Sequence, residues 1–117
     1  MAKFTLTQRQ VSGVTLIDAA GKLAWPEGTD HVKKQVGELM VAGSKRIILN
    51  LKEVSLIDST GIGELVACNI HAKKQGGRLA LLHLTSRNRE LMDMMMLLTS
   101  FATYEDEAEA VRAMAAD

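Results

Sequence analysis

The chain lacks disulfides, excess charge and long apolar runs. It has one cysteine, Cys68, and its 14 basic residues balance 14 acidic ones. A lone cysteine and the absence of a signal-peptide core in MAKFTLTQRQ predict a cytoplasmic protein. The missing positive field argues against a nucleic-acid partner, and no apolar run approaches the roughly 20 residues that span a bilayer. We therefore expect no nucleic acid and no membrane insertion.

Proline and aromatic residues are also scarce, with one proline and 3% aromatics. No repeat, linker or low-complexity tract divides the 117 residues, of which 47% belong to the hydrophobic set. This composition suffices for one modest core. We predict a single domain over residues 1–117, and the sequence leaves the oligomeric state open.

Two hydrophobic periods alternate along the chain. KFTLTQRQ places Phe4 and Leu6 on one face, and GVTLIDAAG places Val14 and Leu16 in the same register, which predicts a β-hairpin. DHVKKQVGELMVA has the spacing of an amphipathic helix that ends near Gly43.

The later segments continue this alternation. RIILNL and RLALLHL are apolar runs typical of strands covered on both faces, and QGG at 75–77 ends the helix between them. SRNRELMDMMMLL predicts a helix with Ser86 as N-cap, followed by a short strand at 101–104 and a final helix from about Asp106. This pattern predicts an α/β fold with a mixed sheet. The residues expected to be largely buried are Val32, Val36, Leu39, Met40, Ile47, Leu49, Ile62, Leu65, Val66, Ile70, Leu79 and Leu81; the final helix should carry Ala108, Val111 and Met114.

The most informative stretch is IILNLKEVSLIDSTGIGELV, residues 47–66. A strand pattern gives way to a helix pattern at Asp58-Ser59-Thr60-Gly61. Such hydroxyls serve as helix caps, as catalytic nucleophiles or as modification sites. Capping alone needs neither three polar residues in a row nor two glycines in the first turn. The cap and modification interpretations both stay open.

Enzymatic chemistry finds little support. The histidines His31, His71 and His83 are distant from Ser59 along the chain, and the G-x-S-x-G pattern of a serine nucleophile is absent. GIG at 61–63 is too short for a phosphate-binding loop, and no metal-ligand spacing occurs. We predict a protein that is not an enzyme and uses no cofactor or metal.

The segment IILNLKEVSLIDSTGIGELV…KKQGGRLALLHL resembles the STAS family, the sulfate-transporter and anti-sigma-factor-antagonist domain. The family pattern is an apolar strand, D-[ST]-[ST]-G-[LI]-G and a helix ending in GG. The resemblance implies a mixed sheet of about four to five strands flanked by about four helices. In the bacterial antagonist branch, it implies transcription control through an anti-sigma factor that is a serine kinase of the histidine-kinase-like ATPase type. That kinase would phosphorylate Ser59, with Thr60 as the alternative acceptor.

A partner-binding surface is expected around this motif. Its outer helical face is predicted to present small, weakly polar side chains, and the full set of candidate partner-binding residues is Asp58, Ser59, Thr60, Gly61, Ile62, Glu64, Ala67, Cys68, Trp25 and Met94. A phosphate on Ser59 would add about −1.5 to −2 charges, which favours release of a partner.

Two positions depart from the family pattern. GKLAWPEG has Ala24 where many antagonists have aspartate, and Trp25 follows as a core residue or an exposed anchor, with core burial favoured. Met96 occupies a position where family members often have glycine; Met92, Met95 and Met96 are expected to pack inward while Met94 points elsewhere. The missing acid favours an alternative function, a constitutive STAS adaptor of a larger assembly such as a membrane-transport complex.

Overall fold

The computed structural model describes residues 3–116. In this part of the chain five strands and four α-helices follow in the order β1 (Thr5–Val11), β2 (Val14–Leu23), α1 (His31–Val41), β3 (Arg46–Ile57), α2 (Ser59–Lys74), β4 (Arg78–Leu82), α3 (Ser86–Met94), β5 (Ala102–Tyr104) and α4 (Glu107–Ala115), with a 3-10 helix at Leu98–Ser100. The predicted α/β class is confirmed.

The sheet is mixed, in the order β1-β2-β3-β4-β5. β1 and β2 are antiparallel and the other neighbours are parallel. Ser12 and Gly13, with φ of 51° and 81°, form a two-residue turn, which confirms the predicted hairpin. The expected shared face of Leu6 and Leu16 is wrong, because the turn pairs Val11 with Val14 and so sets Leu16 opposite Arg9.

Two apolar clusters cover the two faces of the sheet. The larger one lies under α1, α2 and α3, and the smaller one lies under α4. Successive β3 residues Ile47 and Ile48 enter opposite clusters, as expected for a strand covered on both faces. Among the residues predicted to be buried, Leu39 and Val66 are half-buried and Ile70 is 50% exposed, while the others are buried.

The helix boundaries follow the sequence with two corrections. Thr85, not Ser86, is the N-cap of α3, because its side chain accepts a hydrogen bond of 3.2 Å from Asn88 N. In α4 Ala108 is exposed, and Ala110 takes its place beside Val111 and Met114 in the core.

β3 is much longer than its apolar start, and its second half extends beyond β4, which pairs only with Arg46–Asn50. Along this second half α3 packs against the strand, and buried Asn88 donates from Nδ2 to Val54 O over 3.0 Å. This bond satisfies a β3 carbonyl beyond the reach of β4 and brings α3 beside the end of β3.

A charged cluster docks α4 on the hairpin. Arg9 donates to Asp18 from Nε at 2.7 Å and to Glu107 from Nη2 at 2.6 Å, while Asn50 Nδ2 donates to Asp18 over 2.9 Å. The hydrogen bonds from Arg9 lower the pKa of the Asp18 carboxyl and of the Glu107 carboxyl.

Candidate functional site

The Asp58-Ser59-Thr60-Gly61 segment lies where β3 meets α2. β3 ends at Ile57 and α2 begins at Ser59, so the predicted helix start is confirmed. Leu23, the last residue of β2, pairs with Ile57 in parallel. The segments that follow these two strands therefore lie side by side at the C-terminal end of the parallel strands.

Asp58 is the N-cap of α2. Its backbone is extended, with φ of −96° and ψ of −175°, and its Oδ1 accepts from Gly61 N over 2.9 Å. Its Oδ2 accepts from Trp25 N over 3.1 Å. One carboxylate thus caps the helix and holds the connection between β2 and α1 beside it.

The two glycines of the motif have different roles. A Cβ on Gly61 would lie 2.0 Å from Leu23 O, so only glycine lets α2 begin directly against the end of β2. A Cβ on Gly63 would meet nothing within 4 Å, and this residue is exposed. Gly63 rather than Gly61 keeps the surface beside the hydroxyls bare.

Ser59 and Thr60 are both exposed in the first turn of α2. Within residues 3–116, neither hydroxyl makes a hydrogen bond to the protein, and no bond links Ser59 to a histidine. Since Asp58 supplies the cap, neither hydroxyl has a structural hydrogen bond to maintain.

The ring of Trp25 is 71% exposed, so the favoured expectation of core burial is wrong. Ala24 turns into the protein instead and is 9% exposed, which leaves the following side chain in solvent. Because Trp25 N donates a hydrogen bond to Asp58, this exposed aromatic residue lies at the same end of the sheet as Ser59.

The expected outer face of α2 is wrong at two positions. Glu64 and Cys68 are 7% and 1% exposed because α1 covers this side of α2. Glu64 Oε2 accepts from Lys33 N in the first turn of α1 over 2.9 Å. Burial, and then the nearby Glu64 carboxylate, raises the pKa of the Cys68 thiol to about 12, so the thiol stays protonated at neutral pH.

Gly61 and Ile62 are also buried, so neither offers a side chain to a partner. The outward stripe of α2 runs instead along Ser59, Gly63, half-buried Ala67 and Ile70. Sequence reasoning missed Gly63 and Ile70. The signal was present, because successive members of this stripe are four, four and three residues apart, which is the spacing of one helical face.

α3 exposes methionines at its C-terminal end. Met92 is fully buried, but Met95 and Met96 are 45% and 86% exposed, so their expected inward packing is wrong; Met94 is 76% exposed, as expected. The helix ends at Met94, which places the next two methionines in its exposed C-terminal turn.

A groove of about 360 Å³ lies between the end of β3 and α3. Ile57, Arg87, Leu91 and Met94 are among the side chains that line it. Ile57 directly precedes Asp58, so along the chain the groove ends one residue before the N-cap of α2. The site is therefore an exposed surface with unengaged hydroxyls, an aromatic ring and thioethers.

A family model described as STAS domain matches residues 9–110. An anti-sigma F factor antagonist from Paenibacillus polymyxa is 26% identical over 100 residues, which are 85% of this chain and 85% of that protein. None of the helices formed by residues 3–116 combines the length and the hydrophobicity that a bilayer span requires.

Solved structures share the fold. An anti-sigma factor antagonist from Mycobacterium paratuberculosis has a TM-score of 0.83 at 17% identity and covers 96% of this chain and 94% of its own. The anti-sigma factor antagonist SpoIIAA in its unphosphorylated form has a TM-score of 0.77 at 20% identity, covering 93% and 95%. The phosphorylated form of the Bacillus cell fate determinant SpoIIAA has a TM-score of 0.70 at 21% identity, covering 94% and 97%.

Proposed function

Because the chain belongs to the STAS domain family, we propose that it is a regulatory protein-binding module that acts as an anti-sigma factor antagonist. Its partner in this proposal is an anti-sigma factor that is also a serine kinase of the histidine-kinase-like ATPase type. Phosphorylation of Ser59 ends the complex. The protein would then be a cytoplasmic phosphoprotein of a bacterial transcription pathway. The name of the Paenibacillus relative, anti-sigma F factor antagonist, supports the proposed role as an antagonist.

The observation that carries the proposal is the division of labour between Asp58 and Ser59. Asp58 uses both carboxylate oxygens for structure, one on Gly61 N and one on Trp25 N. Ser59, next to it, is exposed and free of hydrogen bonds to residues 3–116. A kinase can therefore reach the hydroxyl and modify it without breaking the fold.

A phosphate at Ser59 would change the surface more than the helix. It brings about −1.5 to −2 charges and three acceptor oxygens to the first turn of α2, where the helix dipole stabilises an anion by roughly 0.3–1 kcal/mol. The same charge lies beside the Asp58 carboxylate and must be desolvated when a protein closes over it. We expect the fold to persist while the interface is lost.

The docking surface in this proposal consists of Trp25, Ser59, Thr60, Ala67 and Met94, with Gly63 and Ile70 extending it along α2. Every member is exposed or half-buried. Because position 24 carries alanine in place of an acid, binding would rest on the Trp25 ring and the thioether of Met94. Aromatic side chains are the usual anchors of such interfaces.

In the test, the binding partner is a histidine-kinase-like serine kinase encoded in the same genome as this chain. Calorimetry should give similar affinities for wild type and Ser59→Ala and a clearly weaker affinity for Ser59→Asp. Stability should change by no more than about 0.5 kcal/mol in either variant, because the Ser59 side chain accepts no bond. Matched stability assigns any loss of affinity to the interface.

Peptide mapping after incubation with the kinase and ATP should place the phosphate on Ser59, and Thr60→Val should still be modified. Phosphate on Thr60 alone would contradict the assignment. Equal affinity of wild type, Ser59→Ala and Ser59→Asp would instead support the constitutive adaptor.

A further inference from the structure

In the described part of the chain, β1 is one edge of the five-stranded sheet. Its seven residues pair with β2 on one side only, and they contain no proline. The pairing with β2 is continuous from Thr5 to Val11, and the register shifts of the sheet lie between β2 and β3 instead. Proteins ordinarily protect a free edge with proline, a bulge, lysine or a covering segment. β5, at the other edge, is only three residues long.

The hairpin turn determines which backbone groups face outward. A two-residue turn makes Val11 and Val14 a hydrogen-bonded pair, and hydrogen-bonded pairs then alternate along an antiparallel ladder. The N–H and C=O groups of Leu6, Gln8 and Gln10 therefore point away from β2. Within residues 3–116 no hydrogen bond reaches these outward groups.

A second copy of the same strand fits this edge. If two β1 strands pair antiparallel about Gln8, each Gln8 lies opposite its counterpart and each Leu6 lies opposite a Gln10. All three positions are then hydrogen-bonded pairs, so every outward N–H and C=O of these residues gains a partner. The arrangement is two-fold symmetric and closes on itself.

Charge also permits this register. Arg9 lies opposite Thr7 of the second copy, so no like charges lie directly opposite each other and the two Arg9 side chains are diagonal neighbours. Arg9 is held on its own chain by Asp18 and Glu107 and does not need to move. On the other face a groove of about 430 Å³ between β1 and α1, lined by Gln8, Gln35, Glu38, Leu39 and Ala42, has room for side chains of the second strand.

We propose that the chain forms a homodimer through β1, which joins two five-stranded sheets into one. A foreign extended peptide is the weaker fit, because the self-complementary register needs only the residues of β1 itself. The edge is separated from β3 by β2, so the dimer leaves the start of α2 uncovered. The inference is therefore independent of the proposed regulatory function.

Sedimentation equilibrium of the full chain tests the dimer, over protein concentrations from about 10 μM to about 1 mM. Wild type should show a concentration-dependent rise to twice the monomer mass. Gln8→Pro removes an N–H that points away from β2, so the hairpin keeps its own hydrogen bonds while the dimer loses two hydrogen bonds. We expect the dissociation constant of the dimer to rise by roughly 5- to 150-fold.

Two further variants separate edge pairing from misfolding. Gln8→Ala keeps the N–H and should dimerise like wild type. Gln8→Lys also keeps the N–H but sets two like charges opposite each other, so its dimer should be weaker and should recover at high salt. A wild type that stays monomeric throughout, or a dimer that Gln8→Pro and Gln8→Lys both leave intact, would overturn the proposal.

Discussion

The C-terminus of α3 should be stabilised by replacing Met96 with glycine. Met96 has φ of 57°, a left-handed conformation that side chains other than glycine rarely adopt. Its N–H donates to Asp93 O over 2.9 Å, and Leu97 N donates to Met92 O over 2.9 Å. These two bonds form a Schellman cap, in which glycine is the usual residue at this position.

Two other helices of the chain end with the same pair of bonds and do use glycine. Gly43, with φ of 99°, follows α1 and donates to Met40 O over 3.2 Å. Gly76, with φ of 73°, follows α2 and donates to Lys73 O over 3.1 Å. Met96 is thus the exception among three matching caps in the described chain.

The magnitude follows from two opposing terms. A left-handed conformation costs an L-residue about 1–2 kcal/mol, and glycine removes this cost. The greater conformational entropy of glycine in the unfolded chain lowers the stability of the variant by about 0.4–1 kcal/mol. Little packing is lost, because the Met96 side chain is 86% exposed. Met96→Gly should therefore raise the free energy of unfolding by about 0.5–1 kcal/mol and Tm by roughly 2–4 °C.

Urea denaturation of matched variants measures this effect. Met95→Gly is the control, because Met95 has φ of −88°, where glycine has no steric advantage, and it should lower stability by roughly 0.5–1 kcal/mol. Gly43→Ala should also lower stability, although its Cβ would meet nothing within 4 Å. Unchanged or reduced stability of Met96→Gly would refute the steric argument.

Two more predictions concern the stability of the fold. Gly61→Ala should destabilise the protein by several kcal/mol in a thermal melt, because its Cβ would lie 2.0 Å from Leu23 O. Gly63→Ala should stabilise the protein by up to about 1 kcal/mol, because its Cβ would meet nothing within 4 Å. Equal effects of the two substitutions would contradict the different roles of the two glycines. Glu107→Gln should lower stability at pH 7 by about 1 kcal/mol or less, because Arg9 and Glu107 are each more than a third exposed. Since the Glu107 pKa is lowered in the folded state, this contribution is present above the ordinary carboxyl pKa and lost as the pH falls through the folded value, so the two urea curves should converge in acid. A gap that stays constant with pH would contradict that linkage.

Local sequence patterns were sufficient to predict the elements of the fold. The apolar spacing of α1, the all-apolar starts of β3 and β4 and the glycines after the helices are signals within single segments. The position of Ser59 at the start of α2 follows from the same signals, because the change of period marks the boundary.

Side-chain placement around the site depended on contacts between distant segments. Glu64 and Cys68 are buried because α1 packs on them, and Glu64 bonds to a residue 31 positions earlier. α2 is covered on a second side too, where Asn69 Nδ2 donates to Ser100 O over 2.9 Å. With two sides covered, a helical period no longer distinguishes one inner face from one outer face.

The exposure of Trp25 and Met96 was missed for a different reason. Residue type alone favours burial of large apolar side chains, but both residues lie where an element has just ended and the backbone direction is set by a turn. The conformation of Ala24 and of the α3 cap decides where these side chains point.

The hydrogen bond that Lys33 N donates to the Glu64 carboxylate makes the stability of α1 depend on α2. The N-cap residue of α1, Asp30, is left-handed and its side chain makes no capping bond, so the first turn of α1 takes its acceptor from the other helix. The same helix holds Trp25 N through Asp58, and the stretch from 25 to 33 is therefore tethered to α2 at both ends. Because the first turn of α1 depends on an acceptor in α2, α1 is not expected to be stable on its own. We expect α1 and α2 to open and close as one cooperative unit during native-state hydrogen exchange.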